Sequence, residues 1–181
     1  MKVLIISCSV RKGRNSHRVS KFFQRSIQER TELTSEIFDL KEANFPIFEE
    51  RLSYLEDPHP GALDFAEKVN SADSFIFVCP EYNGGYPAAF KNAFDLLYAE
   101  WKGKPVGIAS ISTGAFGGSQ VTVQIQSTVT KVGMIPLGAV FPVPKVSAAF
   151  DEEGNALEER TSERGSKFLD ALAEMTRKSI A

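Results

Sequence analysis

The sequence contains few cysteines and few histidines. Its 181 residues include two of each. Two cysteines are too few for the disulfide framework of a small secreted protein, and Cys8 and Cys79 each end an apolar run instead. The two cysteines and the two histidines, His17 and His59, are not spaced like the ligands of a metal site. We therefore predict a protein with neither structural disulfides nor a bound metal.

Long hydrophobic runs and a strong net charge are also missing. No apolar run approaches the ~20 residues that a membrane-spanning helix needs, and the first residues lack the layout of a signal peptide. A formal net charge of −2 argues against broad nucleic-acid binding. The 43% hydrophobic and 24% charged residues are typical of a globular protein. We therefore predict one cytoplasmic domain over residues 1–181, without a membrane or nucleic-acid partner.

Apolar strands and amphipathic helices alternate along the chain. The predicted strands are Lys2–Ser7, Thr34–Asp39, Ser74–Cys79, Pro105–Ser112 and Met134–Phe141. The predicted helices are Ser16–Glu29, Gly61–Ala72, Ala88–Ala99, Ser119–Val132 and Glu158–Lys178. The segment Leu40–Pro60 has no clear period and is predicted to be a long packed loop.

Five strand–helix units predict an α/β fold, because right-handed crossovers build a parallel sheet with helices on both faces. Five strands favour the order 2-1-3-4-5 of a flavodoxin-like three-layer sandwich. Ligands of such sheets bind outside the carboxyl ends of the strands, at the point where the strand order reverses. The loops after the first, third and fourth strands are therefore the candidate site.

Positive charge clusters around the loop after the first strand. Residues 1–30 hold eight basic and one acidic side chain, whereas residues 31–60 hold eight acidic and two basic ones. Arg11, Lys12 and Arg14 fall within the loop, and serine hydroxyls flank it at Ser9 and Ser16. Cationic side chains and free amides at a helix N-terminus suit a phosphate monoester. The loop has neither the GK[ST] of a Walker loop nor a GxGxxG pattern, which disfavours a dinucleotide site of the usual Rossmann kind.

The other two loops are rich in glycine. Pro80–Pro87 contains two adjacent glycines, whose conformational freedom lets main-chain groups face the edge of a flat ligand. Ser112–Gly118 is a third polar turn of the same kind. Each loop alone indicates only a connection. Together, at one edge of the sheet, they predict a phosphate cradle beside a cleft for a planar ligand.

Three motifs add a family resemblance. They are Ser9-Val-Arg-Lys-Gly-Arg14 followed by Ser16, Pro80-Glu-Tyr-Asn83 followed by Pro87, and Lys91-Asn-Ala-Phe-Asp95. With Gly103-Lys-Pro-Val-Gly107, Gly114 and Gly117-Gly118, they resemble the NADPH-dependent FMN reductase family, which includes quinone and chromate reductases. The resemblance covers about Lys2–Pro142. Cys8 departs from it, since the family commonly has glycine there.

The resemblance implies a bound FMN and an oxidoreductase activity. It implies that the FMN phosphate lies on Ser9, Arg11, Arg14, Asn15, Ser16 and His17. It also implies that the isoalloxazine lies against Pro80, Glu81, Tyr82 and Asn83, with Ser112, Thr113 and Gly114 on the other side. The implied reaction passes a hydride from NADPH or NADH through flavin N5 to a quinone, free flavin or similar small acceptor. The flavin carries this chemistry, so no catalytic side chain is expected.

The family resemblance further implies a homodimer or homotetramer. Tyr98 and Trp101 suit either the core or a subunit interface, and the resemblance favours the interface. The NADH or NADPH preference, the acceptor, and whether FMN is a cofactor or a released product remain open.

Two other functions compete with this prediction. Cys8 and Arg14 have the C-x5-R spacing of low-molecular-weight tyrosine phosphatases, in which a thiolate and an arginine surround phosphate. No aspartate in a suitable late loop offers itself as the general acid, however. The other alternative is a flavodoxin-like electron carrier without enzymatic activity. The chain has neither the T-x-T-G-x-T loop nor the strongly acidic surface usual in flavodoxins.

Overall fold

A computed structural model describes all residues 1–181. The strands are β1 Lys2–Ser7, β2 Thr34–Asp39, β3 Ser74–Pro80, β4 Pro105–Ile111, β5 Ile135–Pro136 and β6 Phe141–Val143. The helices are α1 Ser16–Gln28, α2 Leu40–Ala43, α3 Pro60–Ser71, α4 Ala88–Asp95, α5 Ser119–Lys131, α6 Val146–Ala149 and α7 Glu159–Ile180. Leu52–Tyr54 and Ala99–Trp101 form short 3-10 turns. None of the helices combines the length and apolarity that crossing a membrane requires.

The strands form one parallel sheet in the order β2-β1-β3-β4-β5, with β6 also pairing with β4. This order confirms the flavodoxin-like prediction. Ser7 pairs with Asp39 on one side and with Val78 on the other, so β1, β2 and β3 end almost level. Pro80 pairs with Ile111 at the end of β4. The loops after β1, β3 and β4 therefore leave the same edge of the sheet.

Two apolar layers cover the sheet. Alternate residues of β1 point to opposite faces, so Val3 and Ile5 pack with α1 and α7. Leu4 and Ile6 pack on the other face, where α3, α4 and α5 lie. Each such side chain, fully buried, contributes about 1.5–3 kcal/mol. The three-layer sandwich follows from these two faces.

The prediction of one continuous last strand, Met134–Phe141, is wrong. The chain pairs with β4 as β5, leaves the ladder after Pro136, and returns as β6 at Phe141–Val143. Proline has no amide hydrogen to donate to a ladder, so a strand is easily interrupted there. The predicted Met134–Phe141 strand is therefore two short strands, and the second continues into Pro142 and Val143.

The predicted helix Ala88–Ala99 ends early, at Asp95. The fully buried Trp101 donates its indole N–H to the carbonyl oxygen of Phe94 at 3.1 Å, and Leu52 donates its amide to Leu96 at 2.9 Å. These donors satisfy carbonyls that a longer helix would have used. The interface interpretation of Trp101 is wrong, because its ring lies in the core. Tyr98 is half exposed, and its interface role stays a prediction.

The predicted long loop, Leu40–Pro60, contains more structure than its sequence indicates. It begins with α2 and includes the 3-10 turn Leu52–Tyr54. Asn92 on α4 donates to the carbonyl of Pro46 at 2.8 Å and accepts from the amide of Phe48 at 2.6 Å. The Asn92 side chain thus satisfies one main-chain donor and one main-chain acceptor of this loop, as a neighbouring strand would.

Candidate functional site

A cavity lies at the carboxyl edge of the sheet, where the three predicted loops meet. It is lined by Ser9, Arg11, Lys12, Gly13, Arg14, Asn15, Ser16, Pro80, Glu81, Tyr82, Ile111, Ser112, Thr113 and Val146. All the predicted site residues except His17, Asn83 and Gly114 belong to this lining. The fold therefore brings together side chains that are about one hundred positions apart in sequence.

The N-terminus of α1 offers hydrogen-bond donors to the cavity. Asn15 occupies the position before the helix, but its side chain caps no amide, and the first turn has no acidic residue. The first amides of a helix have no acceptor within the helix. Five buried serine hydroxyls have no hydrogen-bond partner in the protein, and among them only that of Ser16 belongs to the cavity lining. Because a buried polar group without a partner is costly, these donors indicate a missing acceptor such as an anion.

Two cations stand at the rim of this end of the cavity. Arg11 and Lys12 are exposed, and neither forms an ion pair with an acidic side chain of the chain. The Arg11 guanidinium carbon lies 5.3 Å from the centre of the Tyr82 ring, a cation–π distance. These charges are available to an anionic ligand.

Arg14 has a different environment from Arg11. One of its terminal nitrogens donates to the Asp39 carboxylate at 2.6 Å and to the main-chain oxygen of Ser9 at 2.5 Å. The other nitrogen donates to the second carboxylate oxygen. The Arg14 and Asp39 side chains are 11% and 13% exposed. Arg14 thus ties the start of the loop to the end of β2.

Sequence reasoning missed Asp39. Its only signal was a carboxylate at the end of the second predicted strand, at the edge where the basic loop begins. Besides Arg14, its carboxylate accepts the amide of Lys41 at 3.0 Å, which caps α2. It also lies 3.5 Å from Nδ1 of His17.

His17 lies behind the loop, outside the cavity lining. Its Nδ1 is 3.2 Å from the hydroxyl of Ser7. Burial lowers the pKa of His17, opposed by the nearby carboxylate of Asp39 and reinforced by the charge of Arg14. A lowered pKa favours the neutral imidazole near pH 7.

The loop after β3 is a tight turn that reaches across to the first loop. Tyr82 and Gly85 exchange main-chain hydrogen bonds of 2.8 and 3.0 Å. Between them, Asn83 and Gly84 both have positive φ, 51° and 78°, as in a two-residue hairpin turn. The hydroxyl of Tyr82 lies 2.6 Å from the hydroxyl of Ser9. The aromatic ring is therefore fixed beside the basic end of the cavity.

Glu81 stabilises the N-terminus of a helix from outside that helix. Its carboxylate accepts the amides of Gln120 and Val121 at 3.0 and 3.1 Å, in the first turn of α5. The residue before α5 is Gly118, which has no side chain to cap it. Gln124 adds a bond of 2.7 Å to the carbonyl of Gly84. The loop after β3 is thus attached to α5 by two side chains.

The turn after β4 is organised mainly by main-chain groups. Ser112 donates its amide to Val143 at 3.1 Å, and Lys145 donates its amide to Gly114 at 3.1 Å. The Ser112 hydroxyl donates to the same Gly114 oxygen at 3.2 Å. Phe116, at the tip, is 84% exposed. Ser112 and Thr113 of this turn line the cavity.

Cys8 is not part of the cavity. Its side chain is fully buried, and its thiol donates to the carbonyl of Ile6 at 3.3 Å. The arginine of the C-x5-R spacing, Arg14, is paired with Asp39 rather than directed at the thiol. A phosphatase needs its thiolate and arginine around one phosphate, so this geometry does not favour that alternative.

The family model for NADPH-dependent FMN reductases matches residues 1–148. The chain belongs to this family. The predicted class of enzyme, an oxidoreductase of the FMN reductase type, is therefore confirmed, and the electron-carrier and phosphatase alternatives are not favoured.

Individual relatives agree with this assignment. The chain is 34% identical over 153 residues to an NAD(P)H-dependent FMN reductase of Saccharomyces cerevisiae, over 77% of this chain and 79% of the relative. It is 27% identical over 135 residues to a quinone reductase of Pseudomonas putida, over 72% of each chain.

A solved structure is similar over nearly the whole length. The flavoenzyme FerB of Paracoccus denitrificans, an NAD(P)H:(acceptor) oxidoreductase, superimposes with a TM-score of 0.81. It is 24% identical, and the match covers 98% of both chains. This likeness supports the flavodoxin-like fold.

Proposed function

We propose that the protein binds FMN in the cavity between β1, β3 and β4 and uses NADPH or NADH to reduce quinones, free flavin or similar small acceptors. The observation that carries this proposal is the unpartnered buried hydroxyl of Ser16, at an uncapped helix N-terminus beside the free cation of Arg11. These groups adjoin the aromatic wall of Tyr82. One end of the cavity therefore suits a phosphate and the other a flat ring.

The phosphate end divides into direct ligands and supporting residues. Ser9, Asn15, Ser16 and Arg11 line the cavity. The two hydroxyls, the amides of the helix N-terminus and the guanidinium would hold the phosphate by donating to its oxygens. Arg14, which also lines the cavity, and His17 both contact Asp39 and so connect the loop to the end of β2. Hydrogen bonds to a charged group each contribute about 1.5–3 kcal/mol.

The ring end consists of two facing loops. Pro80, Glu81 and Tyr82 line one side, and Ser112 and Thr113 line the other. Asn83 and Gly114 belong to the same two loops but not to the lining. Tyr82 keeps its ring in place through Ser9. When bound, FMN supplies the hydride and electron transfer, so the protein's task is to bind, orient and shield it.

We propose further that the protein is cytoplasmic and forms a homodimer or homotetramer. Both cysteines are buried and free, which suits the cytoplasm, where NADPH and NADH are produced. Exposed Ile47, Tyr54 and Tyr98 suit a homodimer or homotetramer. We propose that residues 1–181 act as one FMN-binding domain in each subunit.

Spectroscopy of the purified protein tests the proposed function. We expect flavin absorption in the protein as isolated, or after addition of FMN and removal of the excess. Anaerobic NADPH or NADH should bleach that absorption, and a quinone should restore it. Protein that takes up no FMN, or whose bound FMN neither nucleotide reduces, would contradict the proposal.

A further inference from the structure

The ion pair between Arg14 and Asp39 is the most buried one in the molecule for which both partners are charged near pH 7. Both side chains are less than 15% exposed, whereas every other such pair has at least one partner above 30%. A buried ion pair is costly to desolvate unless its geometry satisfies both groups. Here both carboxylate oxygens accept from the guanidinium.

This pair determines the shape of the loop after β1. Arg14 lies near the end of the loop and also donates to the main-chain oxygen of Ser9 at the beginning. Asp39 is fixed in turn, because it ends β2 in register with Ser7 and caps α2. The two ends of the loop are therefore connected to a rigid part of the sheet through one carboxylate.

The same contacts engage the Arg14 guanidinium, although Arg14 also lines the cavity. Three of its hydrogen bonds go to Asp39 and Ser9, while Arg11 and Lys12 keep free charges at the rim. A site that is organised before its ligand arrives loses less entropy on binding.

We propose that Asp39 is a positioning residue for the phosphate end of the FMN site, acting through Arg14 to shape the loop that receives the phosphate. The inference rests on the proposed function. Asp39 contacts no ligand itself. Its charge is neutralised by Arg14, so its closeness to the phosphate does not oppose binding.

The two possible roles of Arg14 predict effects of opposite sign for Asp39→Asn. If Arg14 shapes the loop through Asp39, loss of the carboxylate charge loosens the loop and weakens phosphate binding. If Arg14 is instead a phosphate ligand restrained by Asp39, the same change releases it and strengthens binding.

The test compares the affinities for FMN and for riboflavin, which lacks the phosphate. We expect Asp39→Asn to weaken FMN binding about tenfold or more, to change riboflavin binding less than twofold, and so to lower the preference for FMN. Asp39→Glu should restore part of that preference. The double variant Asp39→Asn with Arg14→Ala should bind FMN no more weakly than whichever single variant binds it less tightly, because both substitutions break the same ion pair.

Asp170→Asn is the matched control, because it removes the ion pair between Arg30 and Asp170, outside the cavity, and should leave the preference for FMN unchanged. An equal loss of affinity for both ligands, or tighter FMN binding in Asp39→Asn, would overturn the inference. If Asp39→Asn does not fold, Arg14→Lys, which keeps the charge and loses the fork, must lower the preference for FMN. Wild-type protein that binds neither ligand would contradict the proposed function itself.

Discussion

The loop after β1 and the turn after β4 border the same cavity, but different forces hold them. Side chains hold the first: Arg14 on Asp39, and Ser9 on Tyr82. Main-chain hydrogen bonds and two closely packed glycines, Gly117 and Gly118, hold the second. When one side chain of the first loop is altered, the others still hold the loop in place. The turn after β4 is closely packed along its main chain, so an added side chain there displaces the backbone.

The largest expected effect comes from adding a methyl group to each region. A Cβ on Gly118 would lie 3.0 Å from the amide nitrogen of Ile111, at a φ of +82°, whereas a Cβ on Gly13, at +68°, meets nothing within 4 Å. Gly118→Ala should destabilise the fold by about 2–4 kcal/mol. Gly13→Ala should cost about 1–2 kcal/mol, from backbone strain alone. Denaturant unfolding measures the free energy of unfolding of both variants. Equal losses of stability would contradict the proposed difference between the two loops.

The next effect concerns ligand binding at the first loop. Arg11→Ala should weaken FMN binding by about 1.5–3 kcal/mol, because it removes hydrogen bonds to a charged phosphate. Stability should be nearly unchanged, since the Arg11 side chain is exposed and forms no ion pair. Titration of FMN followed by flavin fluorescence gives the affinity. Arg160→Ala, at an exposed residue outside the cavity, is the control, and an unchanged affinity for Arg11→Ala would exclude Arg11 from the phosphate site.

A smaller effect tests how the loop after β3 is attached to α5. Glu81→Ala leaves two first-turn amides of α5 without an acceptor and should lower the free energy of unfolding by about 0.5–2 kcal/mol. Glu81→Gln keeps an acceptor oxygen and should retain most of the stability. Urea midpoints of the three proteins measure this. A Glu81→Gln protein as unstable as Glu81→Ala would show that charge, rather than the hydrogen bonds, is what α5 needs.

The smallest effect is the pH dependence of His17. Burial lowers its pKa below the ordinary 6.5, so the unfolded chain takes up the proton at a higher pH than the folded one. The contribution of His17 to the free energy of unfolding is therefore fully present above about pH 6.5. It declines as the pH falls toward the lowered pKa of His17 in the folded protein. Unfolding at a series of pH values should show this decline. His17→Gln should flatten it, and an unchanged slope would remove His17 from the explanation.

The parts of the fold predicted well are those with a local pattern. The bounds of β1 and β2 and the start of α1 at Ser16 match the structure, because the apolar run of β1, the more alternating pattern of β2 and a polar residue at a helix start are local signals. The break between β5 and β6 was missed, since the apolar residues continue through it. The early end of α4 was missed because it depends on Trp101, six residues after that helix ends.

The candidate site likewise has parts that a local sequence pattern predicts and parts that depend on distant contacts. The three loops and most of the cavity lining follow from motifs and from the strand order. The contacts that shape the site join distant positions, such as Ser9 with Tyr82 and Glu81 with the start of α5. Asp39 was missed for the same reason, since its role depends on Arg14 lying across the sheet edge. Side-chain pairing over such separations leaves no periodic trace in the sequence.

A crystal structure of the protein with FMN is the most direct measurement of the central claim. The account predicts phosphate oxygens within hydrogen-bond distance of the Ser16 hydroxyl and the Arg11 guanidinium, with the ring system beside Tyr82 and the Arg14–Asp39 ion pair intact. FMN found outside this cavity, or with its phosphate away from the first turn of α1, would contradict it.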